Sequence, residues 1–166
     1  MLLKNNLYLE PSPYLQQHKD NPVHWQSWNK SMHSFAKANR KPILLSIGYS
    51  SCHWCHVMAH ESFEDEETAN LMNRYFLNIK VDREERPDID YVFQSSYQLF
   101  NQSGGGWPLT IFLDENAIPF MAGTYFPKIS SHGLPSFKEV ISKVGKTYIE
   151  QREEILKQSH IISKSL

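Results

Sequence analysis

Two cysteines, Cys52 and Cys55, are the residues of this sequence whose type and spacing best suit covalent chemistry. They are the only cysteines among the 166 residues, and two residues separate them. A pair this close cannot form the framework of a small disulfide-stapled protein, and the chain is long enough to bury a core without staples. A catalytic role and a metal-binding role are the two that remain.

The elements around the pair favour the catalytic role. Residues 43–47 form a short, mostly apolar run that predicts a buried strand, and residues 57–62 have a helical composition. The pair thus follows a strand and opens a helix, which is the context of a redox motif. The helix dipole and free backbone N–H groups stabilise a thiolate there and lower its pKa below about 8.5. We expect Cys52 to be the exposed attacking thiol and Cys55, one turn later, to be the resolving thiol.

Two candidate supporting residues lie between the cysteines. His53, as an imidazolium, would favour the Cys52 thiolate, stabilise the reduced form and make the disulfide more oxidising. Trp54 would shape the surface that a substrate touches. Local packing or plain solvent exposure is the alternative for each, and both readings stay open.

Hydrophobic patterning predicts an α/β architecture around this motif. The predicted order of elements is helix, strand, helix, strand, helix, strand, strand, helix. The predicted strands are 43–47, 76–81, 109–113 and 118–123. The first helix spans 21–39, is capped by Asn21, and has Trp25, Trp28, Met32 and Phe35 on its apolar face. A later helix spans 88–100 with Ile89, Val92, Phe93 and Phe100 inward, and an amphipathic helix begins at Ser136.

We predict a single domain over residues 1–166, with residues 1–20 as an extended lead-in and residues 21–160 as the core. Strands separated by helices imply parallel pairing, and the final hairpin adds an antiparallel strand. The predicted fold class is therefore α/β. It has a central mixed sheet of about four strands flanked by helices, and a helical extension at the N-terminus.

The cysteine motif and a Trp-Pro pair before a strand resemble the thioredoxin superfamily. In that superfamily a cis proline precedes the third strand and faces the active cysteines, and Pro108, preceded by Trp107, matches this position. Whole segments over roughly residues 8–150 are also similar to the N-terminal, thioredoxin-like domain of the DUF255 family. These segments are 13–15, 21–25, 52–58, 81–88 and 105–110.

The DUF255 resemblance implies a thiol–disulfide oxidoreductase-like domain that acts on protein or small-molecule thiols and disulfides. It also implies a partner domain outside this chain, a large α-helical barrel similar to sugar-processing enzymes. One departure concerns the buried aspartate that thioredoxin carries six residues before its first active cysteine. Ser46 occupies that position here and is a poor base, so the proton of Cys55 would need water, a histidine such as His56, or another acid.

Three alternatives compete with the redox interpretation. Residues 52–56 match the C-x-x-C-H pattern of c-type haem attachment. Cys52, Cys55, His56 and His60 could bind zinc, although Cys52 and His60 would lie two turns apart. A thioredoxin-fold recognition module with vestigial cysteines would need no catalysis. We favour the redox pair over each of them and expect no cofactor and no metal.

Composition narrows the classes of partner. The chain is 40% hydrophobic and 21% charged with a net charge of −1, which gives no basic footprint for nucleic acid. No apolar run approaches the roughly 20 residues of a membrane helix, and the first ten residues lack the apolar core of a secretory signal. We therefore expect a cytoplasmic protein without nucleic-acid or membrane partners. Residues 104–106, three glycines without a following Lys-Ser/Thr, are expected to approach the cysteines closely or simply to bend the chain.

Overall fold

The computed structural model describes residues 3–164. Its elements, in chain order, are α1 Pro13–Gln16, α2 Lys30–Asn39, β1 Ile43–Gly48, α3 His53–Met58, α4 Glu66–Tyr75, β2 Leu77–Asp82, α5 Pro87–Asn101, β3 Leu109–Leu113, β4 Pro119–Gly123, α6 Phe137–Glu150 and α7 Arg152–Ser163. A 3₁₀ turn at Leu7–Leu9 precedes α1, and a π-helical turn at Ala59–Phe63 follows α3.

A mixed sheet of four strands in the order β2-β1-β3-β4 lies at the centre of the fold, which confirms the predicted fold class. β1 and β2 are parallel, with Ile43 opposite Leu77. β3 is antiparallel to β1, with Leu109 opposite Ile47, and β4 is antiparallel to β3.

The direction of β3 differs from the expectation that strands separated by helices pair in parallel. β3 begins at Leu109, beside Ile47 near the C-terminal end of β1. β2 finishes at this same end of the sheet, because Asp82 lies opposite Gly48. α5 and the loop 102–108 therefore return the chain to the end that it had just left, and from there the next strand runs antiparallel.

Successive residues of a strand point to opposite faces of the sheet. Helices pack against the side chains of both faces. On one face, Leu44 and Phe112 belong to a core that also contains both cysteines and side chains of α4 and α6. On the other face, the alternate residues of β1 pack with side chains of α2 and α5. By this alternation Ser46 and Gly48 face the layer that holds the cysteines.

The N-terminal segment is not the extended lead-in that we expected. Pro13 occupies the first turn of α1, and the Ser12 side chain caps it by accepting a hydrogen bond from the Leu15 N–H at 3.1 Å. Proline suits this position because the first-turn N–H has no intrahelical partner. Leu7, Tyr14 and Leu15 are buried, so the segment belongs to the core. Residues 1 and 2 lie outside the described part of the chain.

The first long helix ends at Asn39 as predicted but begins later, at Lys30 with Asn29 as its cap. The segment 21–28 is instead irregular, since Gln26 pairs with β2: its N–H donates to Asn78 at 2.9 Å, and its carbonyl accepts from Lys80 at 3.0 Å. Asn21 does not cap a helix. Its side-chain oxygen accepts from the Trp25 indole N–H at 3.1 Å.

Two further details differ from the pattern-based predictions. In α5 the buried stripe runs through Ile89, Phe93 and Ser96, whereas Val92 is exposed. The C-terminal helix begins after Ser136 with a complete capping box, as its sequence predicts, but it is interrupted at Gln151 and continues as α7.

Candidate active site

The two cysteines lie where the sequence predicts, between the end of β1 and the first turn of α3. Cys52 is the N-cap of α3, and its sulfur accepts a hydrogen bond from the Cys55 N–H at 3.2 Å. The side chains form a disulfide, with the two Cα atoms 5.3 Å apart. The backbone N–H groups of this helix start are therefore available to a sulfur that becomes a thiolate.

Both cysteines are buried in this disulfide form. Cys52 is 4% exposed and Cys55 is 1% exposed, so the expected exposure of Cys52 is not seen in the oxidised protein. The exposed part of the motif consists of His53 and Trp54, whose rings meet edge to face at 5.4 Å. The Cys52 sulfur, which is bonded to Cys55 and caps the helix, points inward rather than outward.

A shallow groove of about 260 Å³ runs past the motif. Trp54, Trp107 and Tyr125 line it together with the three glycines 104–106, and the rings of Trp54 and Tyr125 are 5.0 Å apart. The glycines do not approach the cysteines. A side chain at Gly105 would instead meet Gln94 of α5, so these residues form one wall of the groove.

Trp107 precedes Pro108 through a cis peptide bond, as the family resemblance implies. The Trp107 indole N–H donates to the Asp90 carboxylate at 2.9 Å. The guanidinium of Arg83 lies 4.3 Å from the Trp107 ring and 5.2 Å from the Tyr49 ring. Sequence reasoning missed Arg83 and Asp90, although both lie in or just after the 81–88 segment that carries the family resemblance.

Ser46, in the position of the missing aspartate, has a buried cation beside it. It lies opposite Lys80 of β2, whose ammonium donates to the Ser46 hydroxyl at 2.9 Å. Lys80 is 1% exposed and rests against the rings of Trp25 and Phe63, at 4.6 and 4.4 Å from their centroids. Burial lowers the pKa of Lys80 to about 7. A lysine among apolar strand residues was the sequence signal that could have revealed this pair.

The two histidines of the zinc alternative do not converge on the cysteines. The Nε2 atom of His56 lies 2.5 Å from the carbonyl oxygen of Ser50. His60 pairs with Glu64 at 3.3 Å, and its side chain is 85% exposed. Within residues 3–164, His, Cys, Asp and Glu side chains form no group of three or more that could hold a metal ion.

The four-stranded mixed sheet, the Cys-x-x-Cys pair at a helix start and the cis proline before β3 together define a thioredoxin-like domain. Residues 4–166 match the family described as "Protein of unknown function, DUF255". The chain belongs to that family.

Relatives and solved structures agree with this assignment. The chain is 43% identical over 163 residues to an uncharacterised protein of Caenorhabditis elegans and 42% identical over 162 residues to human spermatogenesis-associated protein 20. Each alignment covers 98% of this chain but only 22% and 20% of those proteins, so the chain spans about a fifth of their length. A solved DsbH oxidoreductase shares the fold with a TM-score of 0.53 at 19% identity, covering 74% of this chain and 81% of its own.

No helix within residues 3–164 combines the length and the apolar character needed to cross a membrane.

Proposed function

We propose that this domain is a thiol–disulfide oxidoreductase that uses Cys52 and Cys55 as its redox pair on protein or small-molecule disulfides. The observation that carries the proposal is the pair of sulfurs bonded to each other at the N-terminus of α3. The solved neighbour with the same fold is named an oxidoreductase, which is the same class of chemistry. The relatives are longer than this chain, and we propose that the domain works beside a further domain, the C-terminal helical barrel that the family resemblance implies.

The proposed reaction has two steps. The Cys52 thiolate attacks one sulfur of a substrate disulfide, forming a mixed disulfide, and the other substrate sulfur leaves as a thiolate that takes a proton from water. The Cys55 thiolate then attacks the Cys52 sulfur and releases the second substrate sulfur in the same way. Two electrons pass from the protein dithiol to the substrate, and an external thiol such as glutathione or dithiothreitol restores the dithiol.

The residues around the pair have supporting roles in this proposal. The indole rings of Trp54 and Trp107 give the groove apolar walls, which suit the side chains of an extended peptide. Pro108 precedes β3, and His53 adjoins Cys52. Arg83, held between two aromatic rings and 3.9 Å from the Asp90 carboxylate, adds a cation at the same edge.

Mass spectrometry with thiol labelling tests the proposal directly. The protein should carry two labelled thiols after dithiothreitol and none after oxidised glutathione. With that oxidant, Cys55→Ser should accumulate one glutathione at Cys52, because the resolving thiol is missing. Cys52→Ser should accumulate far less, since Cys52 caps the helix start, where a thiolate is stabilised.

Two labelled thiols that persist in wild-type protein under oxidised glutathione would contradict the proposal. That result would favour the alternative of a recognition module with inactive cysteines. Equal trapping of glutathione by the two single variants would leave the redox pair standing but would overturn the assignment of attacking and resolving thiols.

A further inference from the structure

The Tyr14 hydroxyl is a buried polar group without a hydrogen-bond partner. The whole Tyr14 side chain is inaccessible to solvent, and within residues 3–164 nothing bonds to its oxygen. A buried hydroxyl without a protein partner is unfavourable and uncommon in folded proteins. Because this hydroxyl lies next to the cysteine pair, it suggests a hydrogen-bond partner that forms when the redox state of the pair changes.

The hydroxyl faces the sulfur of Cys55. A Cβ atom built on Gly48 would lie 2.7 Å from the Cys55 sulfur and closer still to the Tyr14 oxygen. The hydroxyl and the sulfur thus flank the same small space, which exists because residue 48 has no side chain. The Tyr14 oxygen can reach the sulfur directly once the sulfur moves toward it.

Opening the disulfide requires the two sulfurs to separate. Two bonded sulfurs are about 2 Å apart, whereas non-bonded heavy atoms stay at roughly 3.5 Å or more. The Cys52 sulfur accepts a hydrogen bond from the Cys55 N–H at the helix start, so we expect the Cys55 sulfur to be the one that moves, into the space beside Gly48.

Of the charges in this layer, the Lys80 ammonium favours an anion at Cys55, whereas the Asp82 carboxylate, whose charge reaches the Tyr14 hydroxyl, opposes one. The Lys80 ammonium lies 5.4 Å from the centroid of the Tyr14 ring and has no carboxylate within ion-pair distance in the described part of the chain. Asp82, on the same strand, instead accepts a hydrogen bond from Ser12 at 2.7 Å. Burial and Lys80 lower the pKa of the neighbouring His18 to about 2, so that ring is neutral.

We propose that the Tyr14 hydroxyl is the hydrogen-bond donor for the Cys55 sulfur once the disulfide is open, and that it stabilises the Cys55 thiolate when Cys52 is bonded to substrate in the mixed disulfide. This inference rests on the proposed redox function and supplies what Ser46 cannot, a group that favours ionisation of Cys55. The Cys55 thiol first gives its proton to water, its electron pair then attacks the Cys52 sulfur of the mixed disulfide, and the substrate sulfur leaves as a thiolate that takes a proton from water. Tyr14 keeps its own proton throughout. Burial and Asp82 raise the pKa of Tyr14 well above its usual range, so the phenol stays a donor.

Tyr14→Phe tests the contact by removing one oxygen. In the Cys52→Ser background the Cys55 thiolate is titrated by its ultraviolet absorbance, and we expect Tyr14→Phe to raise its pKa by about 1–2 units, the worth of a hydrogen bond to a charged group. Tyr148→Phe is the matched control. Its hydroxyl donates to Glu115 at 2.8 Å, and its loss should leave the Cys55 titration unchanged.

Unfolding of the two redox forms provides a readout that a purely structural tyrosine would not move. In the oxidised protein Tyr14→Phe should unfold at the same or a higher denaturant midpoint, because it removes an unpaired hydroxyl. In the reduced protein it should unfold at a lower midpoint, because it removes a hydrogen bond. An equal decrease of the denaturant midpoint in the oxidised and reduced forms, or an unchanged Cys55 pKa, would overturn the inference. The Cys55 titration can be measured even if the wild-type protein does not exchange disulfides. Failure of the Tyr14 inference can therefore be distinguished from failure of the proposed redox function.

Discussion

Lys80 is a cationic side chain in the interior, on the face of the sheet that also holds the cysteines. Within residues 3–164 its ammonium donates one hydrogen bond, to the Ser46 hydroxyl, and rests against the faces of Trp25 and Phe63. Aromatic faces attract a cation, but they replace only part of the water that burial removes. The protein therefore holds this lysine at a cost that depends on its charge.

The cost should appear as a pH dependence of stability in the oxidised protein. The pKa of folded Lys80 is about 7, whereas an unfolded lysine keeps its proton to about pH 10. The folded state thus binds fewer protons between these values, and stability should rise with pH there, by at most about 1.4 kcal/mol per unit. Urea unfolding across this range should show the rise in wild type and in Lys146→Met, an exposed control, but not in Lys80→Met. A slope that persists in Lys80→Met would assign it to another group.

His53 is predicted to act on Cys52 through charge alone, since its exposed ring contacts Trp54 rather than a sulfur. In its protonated form it stabilises an adjacent thiolate, so His53→Ala should raise the pH midpoint of Cys52 alkylation and leave Cys55 unaffected. Alkylation rates read by mass spectrometry measure both sites. His60→Ala is the control, because the wild-type His60 ring pairs with Glu64. An effect that survives at high salt would argue against a charge mechanism, because salt screens exposed charges.

At the residue scale, the sequence predicted the sites that local context defines and missed those that depend on the fold. Cys52 and Cys55 lie at the predicted helix start, and Pro108 follows the expected cis bond before β3, because a strand, a helix start and a Trp-Pro pair mark them locally. Tyr14 and Lys80 come from other segments and meet the site only through packing and strand register. Ser46 was recognised as a poor base, but its cross-strand neighbour could not be identified before the register of β1 and β2 was known.

At the scale of elements, the errors arise where tertiary contacts compete with local pattern. The spacing of Trp25 and Trp28 suits a helix, but the backbone N–H and carbonyl of Gln26 form hydrogen bonds with β2. Helix α2 therefore begins only at Lys30. The same pairing sends Trp25 into the layer of the cysteines, whereas Trp28 packs on the opposite face. The spacing of three and four residues correctly predicted that both rings pack against apolar side chains. It wrongly predicted that they lie on one face of a helix.

The packing of α6 on α4 gives a prediction at this scale. Gly145 lies in the middle of α6, where alanine is normally preferred by about 1 kcal/mol. Here a Cβ would come within 2.7 Å of the Tyr75 Cβ of α4, an atom near the backbone that cannot swing away. Gly145→Ala should therefore destabilise the protein by about 1–3 kcal/mol, as overpacking does. Urea unfolding measures this, with the exposed Lys146→Ala expected to be neutral or slightly stabilising. A stabilising Gly145→Ala would mean that the two helices separate easily.

For the whole molecule, redox state and folding stability are linked through the groups that meet the sulfurs. The disulfide closes a loop of only a few residues, so its loss frees little chain entropy in the unfolded state. In the proposed reduced form other interactions replace the disulfide: the start of α3 meets a thiolate, and Tyr14 acquires a partner that no described residue supplies in the disulfide form. The buried cation of Lys80 favours the same state. A domain whose reduced form is stabilised in this way is a stronger oxidant.

We therefore expect the whole domain to have a reduction potential of about −200 mV, nearer to glutaredoxins than to thioredoxin. Equilibration in glutathione buffers, followed by thiol labelling and mass spectrometry, measures the fraction that is oxidised. Thermodynamic linkage requires Tyr14→Phe to lower the potential, since it removes a bond made only in the reduced form, whereas Tyr148→Phe should leave it unchanged. Insulin reduction should also be slow relative to thioredoxin, because a domain whose dithiol form is stabilised is a weaker reductant. Tyr14 stabilises the Cys55 thiolate but accepts no proton, and Ser46, unlike an aspartate, is a poor base. A potential at or below about −270 mV would show that the groups around the sulfurs favour the disulfide instead.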